Sequence, residues 1–174
     1  MKHSACCLSI LLAGAVYGLP AQAQTVQAEL RGYEENPTLS TAARGMFRAQ
    51  IDPVAQQIRY QLSYAGLTGE VRQAHIHLGA RGTNGGIIVF LCQTATNPDP
   101  TGLAPMCPSS GTVRGTITLA GVIGPAGQGL QVGGFDDLVA AIRAGAAYAN
   151  VHSGTYPGGE LRGQLRDTSN PLGR

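Results

Sequence analysis

The chain has 174 residues, 12 Lys and Arg against 10 Asp and Glu, and a formal net charge of +2. Such a near-neutral balance, with no basic cluster, argues against a nucleic-acid partner. The length left after an expected leader, about 150 residues, suits one domain with a real core.

The chain opens with Lys2, an apolar run over residues 5–19 and a small-x-small site at Ala21-Gln22-Ala23. These are the marks of a secretory signal peptide, so residues 1–23 are excluded from the fold. No later segment approaches the ~20 apolar residues of a membrane span. The expected product is a periplasmic or secreted protein with no membrane span once the leader is removed. Lys2 is the only lysine, which leaves 11 arginines against 10 acids in the mature stretch.

Strands follow in quick succession. Val26, Ala28 and Leu30 alternate with polar residues up to Gly32, then Phe47, Ala49 and Ile51 up to Asp52-Pro53, then Ile58, Tyr60, Leu62 and Tyr64 up to Gly66. Next comes Val71-Arg-Gln-Ala-His-Ile-His-Leu78. Side chains alternate faces along a strand, so Ala74, Ile76 and Leu78 share one side and His75 and His77 the other. Two such imidazoles stand roughly 6–7 Å apart at their bases, within reach of one metal ion. Residues 79–86 are dense in glycine and asparagine and should turn the chain. No Lys-Ser/Thr follows them, so they are not a phosphate cradle. Residues 86–92 are apolar throughout, as expected of a strand covered on both faces.

Cys6 and Cys7 fall in the leader, which leaves Cys92 and Cys107. An even pair in an oxidising compartment is expected to form a disulfide. It would close a loop of about 15 residues and stabilise by roughly 3 kcal/mol on the chain-entropy model. The spacing matches no metal-binding thiol motif.

Val113, Gly115, Ile117 and Leu119 mark another strand, and residues 121–134 are glycine-rich and aperiodic. The period then changes. Phe135, Leu138, Val139 and Ile142 fall at i, i+3, i+4 and i+7, with Asp136 and Asp137 at the start, Arg143 near the end and Gly145 as a cap. That pattern predicts the one helix. Residues 148–152 form a strand on which Tyr148, Asn150 and His152 face away from Ala149 and Val151. Leu161, Gly163 and Leu165 form the last strand, and residues 167–174 should be a loose tail. About eight short strands and one short helix read as an all-β antiparallel sandwich or barrel over residues 24–166.

The motifs Gly32-x-x-Glu35-x-Pro37, Ala74-His-Ile-His77, Gly82-x-Asn84-Gly85 and Phe90-Leu-Cys92 stand in order along the chain. They are followed by Ile142-x-Ala144-Gly145, Tyr148-x-Asn150-Val151-His152 and Tyr156-Pro157-x-Gly159-Glu160-x-Arg162-Gly163-Gln164. Together they resemble the CHRD family, named from the domain repeated in chordin, across nearly the whole mature chain. The paired cysteines look like its secreted bacterial branch. The resemblance implies an extracellular or periplasmic all-β domain and hands over no reaction.

Neutral imidazole is the commonest protein ligand for copper and zinc. His75, His77 and His152 are therefore the candidate ligands of a single ion. Glu35 is a candidate fourth ligand or an acceptor that fixes an imidazole tautomer, with Asn150 beside it. The histidine face is expected to point away from the core. Three histidines are too few for the bridged copper–zinc pair of superoxide dismutases. Ser153 cannot serve His152 as a nucleophile, because adjacent strand residues face opposite ways. Glu160 and Arg162 share a face of the last strand, where they are expected to form a solvated, structural ladder; the alternative is that they lock that strand against the Glu35 turn. The reading is a non-catalytic metal-binding domain. Its rival is an interaction module for an extracellular protein or glycan, with structural histidines.

Overall fold

Alternation in the first third of the described chain translates into three long strands. The computed structural model describes residues 24–169. Strands β1 (Gln24–Arg31), β2 (Arg44–Asp52) and β3 (Gln57–Ala65) bury every second side chain, from Val26 and Leu30 to Ile58, Leu62 and Tyr64. Their antiparallel registers run unbroken, from Gln24↔Ile51 to Arg31↔Arg44 and from Arg44↔Ala65 to Asp52↔Gln57. The β2–β3 turn is closed by Asp52 Oδ1, which accepts the N–H groups of Val54 and Ala55.

The remaining strands are β4 (Val71–Leu78), β5 (Ile87–Cys92), β6 (Gly111–Thr118), β7 (Ala147–Ser153), β8 (Leu161–Gln164) and β9 (Arg166–Asp167). The sheet order is β5-β4-β7-β8-β1-β2-β3-β6, with β9 also paired to β1 and every strand pair antiparallel. The sheet curls until its ends approach, and the Tyr60 hydroxyl of β3 donates to the Leu91 carbonyl of β5 at 2.5 Å. A nearly closed barrel results, rather than two separate sheets. Closure answers the edge problem, because an open sheet leaves rows of unpaired backbone groups.

Helix α1 (Phe135–Arg143) presents Phe135, Leu138, Val139 and Ile142 to the core that the strands also fill. It ends in a Schellman motif: Gly145 (φ +66) donates to the Ile142 carbonyl, and Ala146 to that of Ala141. Only a residue tolerant of positive φ can end the helix this way. The disulfide Cys92–Cys107 is formed, with its Cα atoms 5.0 Å apart. Within the loop it closes, Asp99 accepts the N–H groups of Thr101, Leu103 and Ala104.

Two details differ from the sequence reading. A ninth strand is present, β9, and the Thr168 N–H donates to the Thr25 carbonyl at 2.8 Å. The segment expected to be loose from Asp167 onward is thus tied to β1 at its start. The expected leader lies outside the described residues.

Candidate metal centre

Strand register brings the three histidines together. In the β4–β7 pair Gln73 is opposite His152, His75 opposite Asn150 and His77 opposite Tyr148. The β7–β8 pair adds Arg162 opposite Asn150 and Gln164 opposite Tyr148. His75 and His152 are therefore diagonal neighbours, close enough for large side chains to meet. Their ring centroids lie 4.9 Å apart, those of His75 and His77 5.3 Å, and those of His77 and His152 6.0 Å. One candidate ligand atom from each residue falls within 4.8 Å of the other two.

The face opposite Ala74 and Ile76 points away from the apolar core and yet is closed to solvent. His75, His77 and His152 are 1%, 8% and 6% exposed. Loops cover them, and the loop backbone sets their chemistry. His77 Nδ1–H donates to the Gly85 carbonyl at 3.0 Å, and His152 Nδ1–H donates to the Pro157 carbonyl at 3.0 Å. A carbonyl only accepts, so both neutral rings are Nδ1–H tautomers with an Nε2 lone pair. His75 Nδ1 lies 3.1 Å from that lone pair on His152 and donates to it. This leaves Nε2 of His75 and Nε2 of His77 buried and without a hydrogen-bond partner.

Burial is the largest influence on all three imidazoles. It lowers His75 from 6.5 to about 2, assisted by His152 and His77, and lowers His77 to about 4, opposed by the Gly85 carbonyl. It also lowers His152, opposed by the Pro157 carbonyl. At neutral pH the rings are uncharged, the state a metal ion requires.

Aromatic and cationic groups pack around them. Phe90 meets His75 edge to face at 4.4 Å between centroids, and Tyr148 stacks on His77 at 4.8 Å. The Arg162 guanidinium lies 3.5 Å from the Tyr148 ring centroid. It donates to the carbonyls of Ala80 and Thr83 and to Asn84 Oδ1 at 3.1, 2.7 and 3.3 Å. Arg162 thus clamps the loop whose Gly85 carbonyl orients His77.

Glu35 does not join the imidazoles. Its carboxylate accepts Asn150 Nδ2–H at 2.6 Å, and main-chain carbonyls, not Glu35, hold the tautomers of His77 and His152. The other Asn150 amide hydrogen goes to the Leu161 carbonyl. Desolvation raises Glu35 to about 7 against the opposing Asn150 hydrogen bond and the Arg162 charge. Gly159 (φ +131) closes over this pair; a Cβ there would stand 2.7 Å from Asn150 Nδ2 and 2.8 Å from Glu35 Oε1.

Glu160 and Arg162 form no solvated ladder, because the covering loops bury both. Glu160 accepts from the Thr41 hydroxyl and from the Thr68 N–H and hydroxyl, which ties two loops to β8. Burial pushes its carboxyl up, but hydrogen bonds from Ser153, Thr68 and Thr41 together hold it below its ordinary value. The covering carbonyls of Gly85 and Pro157 escape sequence reasoning, since a backbone acceptor carries no residue signature. Tyr148 was legible as a same-face neighbour of His152, though not as the partner of His77.

The geometry defines an all-β domain with a buried three-histidine cluster. The chain belongs to the CHRD domain family, whose model matches residues 26–165. Neither a curated protein nor a solved structure matches it. Among the described residues, no helix is long and apolar enough to cross a membrane.

Proposed function

We propose that this protein is an exported CHRD domain that binds one transition-metal ion, copper or zinc, through His75, His77 and His152, without turning over a substrate. The observation that carries the reading is the pair of buried, partnerless Nε2 atoms beside a third imidazole. Each unsatisfied buried group costs about 1–3 kcal/mol, and a shared ion would remove that cost. Second supports match as well, since ligating histidines nearly always donate their other ring N–H to a carbonyl or carboxylate. In this role Glu35 and Asn150 anchor the strand that carries His152, while Glu160 and Arg162 hold the loops over the site. The disulfide is compatible with secretion.

The test is a metal titration of the mature protein with a parallel melting curve. The expected result is about one ion per chain. At free ion a hundredfold above Kd the gain is about 2.7 kcal/mol, abolished by EDTA and by His77→Ala. Binding no tighter than that of an exposed histidine tag would end the reading.

The rival, an extracellular protein- or glycan-interaction module, draws on the same two loop contacts. His77 and His152 brace Gly85 and Pro157 with or without an ion. It predicts that the histidine substitutions lower the melting temperature equally in metal-free and metal-containing buffer.

A further inference from the structure

We infer that the ion this site selects is cuprous copper, Cu(I), held by three neutral imidazoles. The inference rests on the metal-binding reading above and specifies the ion.

Three features of the site favour a monovalent, low-coordinate ion. The first is ligand number. Among the described residues, the cluster of His, Cys, Asp and Glu side chains able to share an ion consists of His75, His77 and His152 alone. Structural zinc sites are almost always four-coordinate, and Cu(II) prefers tetragonal sites of nitrogen and oxygen. Cu(I) has a filled d shell and is satisfied by two or three ligands.

The second is enclosure. All three histidines are buried, Phe90 packs on His75, and Tyr148 stacks on His77. A divalent ion would need a water or another fourth ligand here. A buried water in turn needs polar partners of its own, which aromatic faces do not supply.

The third is charge. Neither an anionic carboxylate nor a thiolate belongs to the cluster. Glu35 is engaged by Asn150, and Glu160 by Thr41 and Thr68. A cation packs beside the cluster instead, the Arg162 guanidinium lying 3.5 Å from the centroid of the Tyr148 ring that stacks on His77. The self-energy of a buried ion grows as the square of its charge, so a divalent ion costs about four times as much to desolvate as a monovalent one. Nothing in the cluster offsets that difference.

The test compares ions on the wild-type mature protein, so it does not depend on a variant that folds. Cu(I) is supplied without oxygen and competed against bathocuproine disulfonate; Zn(II) and Cu(II) are competed against chromophoric chelators. The expected result is one Cu(I) per chain, held tighter than Zn(II) or Cu(II), with X-ray absorption showing three nitrogen neighbours. Zn(II) or Cu(II) bound as tightly as Cu(I) overturns this inference and leaves the metal-binding reading standing. No retention of any of the three ions overturns both.

Discussion

His75 Nδ1 lies 3.1 Å from His152 Nε2 across the β4–β7 pair. That hydrogen bond occupies the His152 lone pair, so an ion bound there must displace the His75 N–H, whose ring keeps Nε2 free to bind. In the metal-free protein the acceptors assign the tautomers. Nitrogen-15 correlation spectra at neutral pH are expected to show all three histidines as neutral Nδ1–H forms. An Nε2–H signal from His77 or His152 would contradict the carbonyl contacts on which the site is built.

Acid should destabilise the metal-free protein. Burial lowers His75 to about 2 and His77 to about 4, while the unfolded chain takes up protons near 6.5. As pH falls through 6.5 the unfolded state binds protons that the folded state refuses, so stability declines steadily toward pH 4. Glu35 works in the opposite sense. Desolvation raises it to about 7, so its contribution is fully present below 4.5 and is lost as pH rises through 7. Glu35→Gln should therefore make stability climb more steeply between pH 4.5 and 7. Urea midpoints in EDTA across that range check both slopes, and a variant profile parallel to wild type would refute the role given to Glu35.

Arg162→Ala should cost about 3 kcal/mol or more. It removes donors from two carbonyls and one amide oxygen and uncovers the Tyr148 face. Arg162→Lys should recover only part of this, because an ammonium lacks the planar fork. Denaturant unfolding of both variants measures the difference; a lysine variant as stable as wild type would show that charge alone matters at this position.

Gly159→Ala should destabilise by about 1–3 kcal/mol, the usual range for a side chain forced into an unfavourable backbone region. The new Cβ would press on Asn150 and Glu35 at once. A melting temperature within a degree of wild type would mean that the Glu35 turn yields without resistance.

Much of the fold was legible because its strands are local statements. The alternation in β1 to β3 needs no partner to be read, and the shift to a 3.6 period at Phe135 marks α1 just as plainly. β9 was missed because two residues carry no period, and only pairing with Val26 and Gln27 makes them a strand. Alternation also placed His75 and His77 together on one side of β4. It could not say that loops would cover and bury that side, nor that Glu160 and Arg162 would be enclosed with it.

Sequence by itself determined which side chains share a face and where the helix lies, because each depends on neighbours a few positions apart. Tertiary structure alone decided the rest. That His152 lies diagonal to His75, that Glu35 grips Asn150 instead of a ring, and that Gly85 and Pro157 orient the imidazoles all follow from sheet order and loop backbone. Contacts between residues 77 and 115 positions apart are set by the packing of the whole barrel, and a carbonyl oxygen is common to every residue type, so neither leaves a mark in the order of amino acids.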